Sequence, residues 1–273
     1  MGFIANTFYC EDNRLTMERM NKSGFNVDII LTSPFYNSNK KAGKHLTLNS
    51  VKANASYYPH VRYDTHVDNM TSGEYRKYTV DLFNLFDGVL NANGCILYNL
   101  SYGANGADDL FNVVSAVITQ TPFSVADVIG WKKATAIPNN CSKNHLTRIF
   151  EFIFVFCRKN EQATFNANKP IVSRRKTGQA SYGNIYNFID AKNNDGKCPF
   201  NKATFSSDIV LKLCEIYAKP DSIIYDPFMG SGTTAIGVER YGRGCKWVGS
   251  EISANQVDFS KHRLFEYRKS CIV

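Results

Sequence analysis

The sequence predicts an α/β fold in which one doubly wound, mainly parallel sheet carries helices on both faces. Two patterns predict it. Apolar runs of strand length alternate with segments of helical period along most of the 273 residues, as crossover units require. Near the end of the chain an apolar run leads through a glycine-rich turn into a helix, the unit from which such sheets are wound. Seven runs read as strands, at residues 3–9, 27–31, 95–100, 125–131, 150–157, 223–225 and 246–249. They suit one seven-stranded sheet and one domain over residues 1–273.

Between the strands, Tyr78, Leu82, Leu85, Phe86 and Val89 recur at helical spacing and form one apolar stripe. Leu110, Val114, Val117 and Ile118 form a second, and Ile209, Leu213 and Tyr217 beside Val210 and Cys214 a third. These stripes are core. Residues 37–71 and 164–195 break the alternation, and loops of this length inside a compact domain are usually functional or mobile. Their basic and aromatic content suits a surface that grips a nucleic-acid backbone and stacks on bases.

Composition narrows the class. Hydrophobic residues at 44% and charged residues at 21% exclude general disorder. The net charge of +8 fits a polyanionic partner, and it equally fits a requirement for solubility. The eight cysteines are scattered without C-x-x-C spacing, and His60 and His66 are the closest pair of the five histidines. Neither a zinc ribbon, a disulfide scaffold nor any metal site is expected. The first residues lack the basic and apolar regions of a signal peptide, and no apolar stretch approaches the roughly 18 residues that span a bilayer. The expected setting is a reducing cytoplasm, with free thiols and no membrane.

The segment SIIYDPFMGSGTTA at 222–235 places an acidic residue, Asp226, at the end of a strand, then a turn with Gly230 and Gly232, then a helix starting near Thr233. Open α/β sheets bind ligands at this position. The glycines let the backbone approach a ligand closely, and the free N–H groups of the helix start can hold a polar group. Asp226 stands too early to cap that helix. A second strand ends at Glu251, 21 residues beyond Gly230, where a carboxylate can accept hydrogen bonds from both hydroxyls of a ribose. The ligand is therefore expected to contain a nucleoside. The spacing G-x-G-x-x-A also satisfies the dinucleotide fingerprint, so a nicotinamide-dependent oxidoreductase is one alternative. Against it, only 22 residues follow Glu251, too few for a second mononucleotide-binding half. A P-loop is excluded because no G-x-x-x-x-G-K-[ST] occurs.

The run at 27–31 leads straight into Thr32, Ser33, Pro34, Phe35 and Tyr36, which sets polar, proline and aromatic residues at the carboxyl edge of the sheet. Together, TSPFY and DPFMGSGTT resemble the amino-methyltransferases of DNA, and their order, catalytic motif first and cofactor motif last, resembles the permuted β class. The resemblance extends over most of the chain. It takes in the N-terminal strand and Asp12, IGWKKATAIPNN, RIFEFIFVFCRK, and NKATFSSDIVLKL, which is similar to the family's H-P-A-x-F-P segment. The chain departs from the pattern at two places: Phe35 stands for the second proline of S-P-P-Y, and Asn201 with Lys202 for His-Pro.

The resemblance implies a circularly permuted Rossmann-like sheet, in which the N-terminal strand lies beside the strand ending at Glu251. It implies S-adenosylmethionine as cofactor, held by Phe205, Asp226, Phe228, Gly230, Ser231, Gly232, Thr233, Thr234 and Glu251. It implies a partner in double-stranded DNA, with Ser33, Pro34 and Tyr36 catalytic: the Ser33 hydroxyl and Pro34 carbonyl accept hydrogen bonds from an exocyclic amino group, and Tyr36 stacks on a base flipped out of the duplex. Methylation at cytosine C5 does not fit, since the lone pair Cys198-Pro199 reverses the usual Pro-Cys order, and Cys198 reads as structural. Serine at the first position of the motif favours cytosine N4 over adenine N6. Lys40, Lys41 and Lys44 in one long loop and Arg174, Arg175 and Lys176 in the other are the candidates for DNA contact. A nucleic-acid-binding domain without catalysis is the remaining alternative.

Overall fold

The fold is described from a computed structural model, for residues 3–37, 70–102, 106–134, 143, 146–196, 198–199, 201 and 204–271. In chain order the elements are β1 (Thr7–Tyr9), α1 (Asn13–Ser23), β2 (Val27–Thr32), α2 (Ser72–Asp87), β3 (Leu90–Leu100), α3 (Ala107–Gln120), β4 (Phe123–Lys133) and β5 (Phe150–Arg158). There follow β6 (Ile171–Arg174), β7 (Ala180–Tyr182), β8 (Phe188–Ala191), α4 (Ser207–Tyr217), β9 (Ile223–Asp226), α5 (Thr233–Tyr241), β10 (Lys246–Ser250) and α6 (Ala254–Ser270). The large sheet runs β1-β10-β9-β2-β3-β5-β4-β8. All neighbours are parallel except β5, which is antiparallel to both β3 and β4.

The alternation of side chains along the strands builds two cores. On one face Val27, Ile30, Ile96, Tyr98 and Phe156 meet Met17 and Met20 of α1, Phe83 and Phe86 of α2, and Val113 and Val117 of α3. On the other, Ile29, Leu31, Leu97, Val155 and Trp247 meet Val210 and Leu213 of α4, Ala235 and Val238 of α5, and Leu264 of α6. Burial on both faces is why these strands read as continuous apolar runs. The three expected stripes lie on α2, α3 and α4, except that Val89 falls just beyond the end of α2 at Asp87, and β1 pairs with β10 in the register Thr7↔Val248, Phe8↔Gly249 and Tyr9↔Ser250. The N-terminal segment thus completes the sheet beside the strand that leads to Glu251.

Two expectations are corrected. The sheet has eight strands rather than seven, because β8 joins β4 in the register Gly130↔Phe188 to Lys133↔Ala191. As an edge strand it buries only Ile189 and Ala191, so FIDA shows no apolar run. Residues 164–195 are likewise not without regular structure, since β6 and β7 form an antiparallel hairpin. Every residue of β6 is exposed, which removes the periodicity that marks a strand in sequence. At the N-terminus only Thr7–Tyr9 of the run at 3–9 joins the ladder. Cys10, Cys95, Cys157, Cys214, Cys245 and Cys271 are free thiols, and Cys198 is buried.

Candidate active site

Neighbouring strands β9 and β2 send the chain in opposite directions, β9 toward β10 and β1, β2 toward β3. At such a switch point the connections diverge and leave a crevice at the carboxyl ends of the strands. Asp226 closes its floor. The carboxylate is fully buried. Its Oδ1 accepts from Thr32 Oγ1 at 2.7 Å and from the Phe228 amide at 2.9 Å, and its Oδ2 from Thr234 Oγ1 at 2.5 Å. Burial pushes its pKa up to about 6 against the opposing pull of these three donors. Asp226 therefore ties the residue before Ser33 to both ends of the glycine turn.

Above this floor lies a cavity of about 290 Å³. Ser33 and Phe35 reach it from the first motif, and Phe228, Gly230, Ser231 and Thr233 from the glycine turn, joined by Phe205 and Glu251. The structure does not bring every expected residue there. Asp226, Gly232 and Thr234 stand behind the turn and shape it, while Pro34 and Tyr36 lie outside the cavity wall. Gly232 has φ of 77°, and a Cβ there would stand 2.9 Å from Ser260 Cβ, so glycine lets the start of α5 pack on α6. Gly230, with φ of 53°, donates its N–H to Glu251 Oε2 at 3.0 Å, while Glu251 Oε1 accepts from Ser253 N at 2.8 Å. These bonds fix the carboxylate at the cavity rim.

Asp12, Asn13, Phe35, Tyr78 and Asn201, none of them among the expected site residues, also line the wall. Asn13 donates from Nδ2 to the Pro227 carbonyl at 3.1 Å and so fastens α1 to the turn. Asp12 caps α1 and pairs with Arg14 at 2.6 Å, which holds its carboxyl below the usual range. Tyr78 also lines the cavity, its hydroxyl pushed by burial up to about 12. Phe35, the departure from the second proline, is 7% exposed and packs against Tyr75, Tyr78 and Phe228. The ring therefore wedges the first motif between α2 and the glycine turn. Asn201, the other departure, lies in the wall beside Gly230.

A second polar group adjoins Ser33. Tyr36 Oη donates to Glu151 Oε2 at 3.0 Å, and Ser33 Oγ and Tyr36 Oη share a hydrogen at 2.9 Å. Asn99 Nδ2 reaches Ser33 Oγ at 3.3 Å, Tyr36 Oη at 2.7 Å and Glu151 Oε2 at 3.0 Å. Lys133 pairs with the other oxygen of Glu151. Sequence reasoning did not single out Asn99, Glu151 or Lys133. The signal was a carboxylate in FEFIF and an amide in CILYNL, each a polar residue in an apolar strand.

Arg174, Arg175 and Lys176 lie at the tip of the β6–β7 hairpin, away from the cavity wall. The hairpin is rooted where Pro170 O accepts from Gly183 N, and nearby Asn168 bonds to the backbone of Ile216 and Ala218. Those residues end α4 and precede β9, so the root sits toward the amino edge of the sheet. Lys40, Lys41 and Lys44 lie outside the described residues. Among the described residues there is no group of three or more metal-ligating side chains, and no helix is long and apolar enough to cross a membrane.

The orphan methyltransferase M.BamHII of Bacillus amyloliquefaciens is 29% identical over 155 residues, a match that covers 46% of this chain and 57% of that protein. The chain thus spans little more than half the length of this curated relative. Among solved structures, the PvuII DNA methyltransferase, described as cytosine-N4-specific, superposes with a TM-score of 0.65 at 16% identity, covering 96% of this chain and 87% of that one. The M1.HpyAVI–SAM complex gives 0.61 at 20% identity, covering 94% and 98%. These likenesses show the shared fold. The family model for DNA methylases of the N6/N4 type matches residues 27–262, and this chain therefore belongs to that family.

Proposed function

We propose that this protein transfers a methyl group from S-adenosylmethionine to the exocyclic amino group of a base flipped out of double-stranded DNA, with cytosine N4 preferred over adenine N6. One observation carries the reading: Ser33 and the glycine turn, far apart in sequence, open on the same cavity. The chemistry of the wall fits the cofactor. Glu251 is placed to accept from ribose hydroxyls, Phe228 offers an aromatic face, and the turn admits close backbone approach at Gly230. Bound there, S-adenosylmethionine supplies an electrophilic methyl on a sulfonium. The preference for cytosine rests on the serine of TSPFY.

The protein's task is to make a poor nucleophile competent. The lone pair of an exocyclic amine is delocalised into the ring, so the site must localise it. Ser33 Oγ and the Pro34 carbonyl accept its two N–H bonds and draw the nitrogen toward tetrahedral geometry. The Tyr36 ring stacks on the base while its hydroxyl stays tied to Glu151. Much of the acceleration then comes from positioning.

Incubation with S-adenosylmethionine and unmethylated DNA, digestion to nucleosides and mass spectrometry test the reading. N4-methylcytosine is expected; N6-methyladenine would move the target base, and calorimetry that finds NAD bound instead would overturn the reading. Ser33→Ala and Tyr36→Ala should each lower turnover by about 100-fold or more with nearly unchanged cofactor affinity. Glu251→Ala should do the reverse, weakening the cofactor by roughly 10- to 100-fold; unchanged affinity would remove the ribose role.

A further inference from the structure

The directions of the hydrogen bonds around Ser33 follow from the chemistry of the acceptors. Tyr36 Oη gives its single hydrogen to Glu151 Oε2, at 3.0 Å. Tyr36 has no second hydrogen. The 2.9 Å contact between Ser33 and Tyr36 is therefore a donation from Ser33 Oγ to Tyr36 Oη. The Asn99 amide, a donor at Nδ2, bonds to all three oxygens and fixes them in one chain. Of the two Ser33 lone pairs, one takes the long bond from Asn99, and the other is left to accept from a group in the cavity that Ser33 lines.

The chain runs from the cavity into the protein. Glu151 is 8% exposed, and the groups that face it are Lys133 from β4, Asn99 from β3 and Tyr36 from the segment after β2. Lys133 holds Oε1, which keeps Oε2 turned toward Tyr36. The arrangement also leaves Asn99 Oδ1 buried without a hydrogen-bond partner among the described residues. An unsatisfied buried acceptor opposes folding, so the cluster is not arranged for stability alone.

We infer that Ser33, Tyr36 and Glu151 form a proton relay that takes the surplus proton from the methylated amine, with Glu151 as its terminal acceptor. The inference rests on the methyl-transfer reading above. As the amino nitrogen attacks, its bond to the methyl carbon forms and the sulfur–carbon bond breaks, leaving the electron pair on sulfur. The nitrogen then holds one proton too many. That proton passes to Ser33 Oγ, the Ser33 proton to Tyr36 Oη, and the Tyr36 proton to Glu151, whose carboxylate becomes a carboxylic acid and later returns the proton to water. Glu151 touches no substrate atom and acts through the two hydroxyls.

The test measures single-turnover methyl transfer from labelled S-adenosylmethionine to unmethylated, PCR-amplified bacterial DNA, for wild type, Ser33→Ala, Tyr36→Phe and Glu151→Gln. Tyr36→Phe keeps the ring but breaks the relay, and Glu151→Gln keeps the shape but cannot take the proton. Each is expected to slow transfer by about 100-fold, with cofactor affinity by calorimetry and melting temperature close to wild type. A readout free of turnover accompanies it. In protein labelled with ¹³C at tyrosine Cζ, the Tyr36 signal, identified by its loss in Tyr36→Phe, should move in Glu151→Gln. An unmoved signal, or transfer within about threefold of wild type in either variant while Ser33→Ala is inactive, overturns the relay and leaves the methyl-transfer reading standing. If Glu151→Gln does not fold, Tyr36→Phe decides by the same criterion. A wild type that yields no methylated base overturns the reading, and the relay with it.

Discussion

At Asp226 a single carboxyl does structural work at the centre of the site, and its protonation should be visible in stability. Its pKa lies at about 6 against an ordinary 3.8, so the folded state binds this proton more tightly than the unfolded chain. Its stabilising contribution is complete below pH 3.8 and is lost as pH rises through about 6, a change on the order of 3 kcal/mol. Urea unfolding of wild type and Asp226→Asn between pH 4 and 8 isolates it, because oppositely shifted groups such as Asp12 cancel in the difference. The variant should gain on wild type as pH rises, and a constant difference would show an ordinary carboxyl. Gly232→Ala is expected to cost about 1–3 kcal/mol, from its positive φ and the approach of Ser260, measured by the same unfolding. The sequence made Asp226 and Gly232 stand out because DPFMGSGTT is a recognisable string. It did not show that both stand behind the turn, since only the packing of β2 and α6 decides which residues face the ligand.

Whereas α1 and α6 were not read from the sequence, the helices α2, α3 and α4 were legible because each buries one stripe. Their ends were less so, although Thr71 and Glu74 form a reciprocal capping box at the start of α2. Thr71→Ala should lower stability by about 1 kcal/mol. Inside the same helix Phe83 is fully buried and its ring meets Phe86, Tyr98, Phe123 and Phe156. Phe83→Ala should cost about 3–5 kcal/mol, and a much smaller loss would mean that the neighbouring rings collapse into the gap. The strands buried on both faces were likewise readable, whereas β6 and β8 were not, because strands with one or no buried face leave little apolar imprint. Glu151 and Asn99 escaped for a related reason. Each looks like an isolated polar interruption until the antiparallel pairing of β5 with β3 and β4 brings them to one point.

Over the whole molecule, the net charge of +8 gains a measurable meaning if it serves DNA binding. Affinity should then fall linearly in log–log form with salt, by about 0.9 for each phosphate neutralised. A variant with Arg174, Arg175 and Lys176 all changed to alanine should flatten that slope by about 2–3 if the hairpin lies on DNA, and coincident slopes would remove it from the interface. A four-residue strand carries the tip only about 13 Å from its root, so the contact would fall well to one side of the flipped base. The bond between Thr32 and Asp226 has a consequence for how the molecule comes into being. It joins residues 194 apart, so the crevice exists only after one of the longest loops in the chain has closed, against the entropy of that closure. Local helices and the β4–β5 pair can assemble sooner, since contacts near in sequence form first. Competence to hold a ligand should therefore be the last property acquired in refolding, and a fragment from either half, however well folded, should have none.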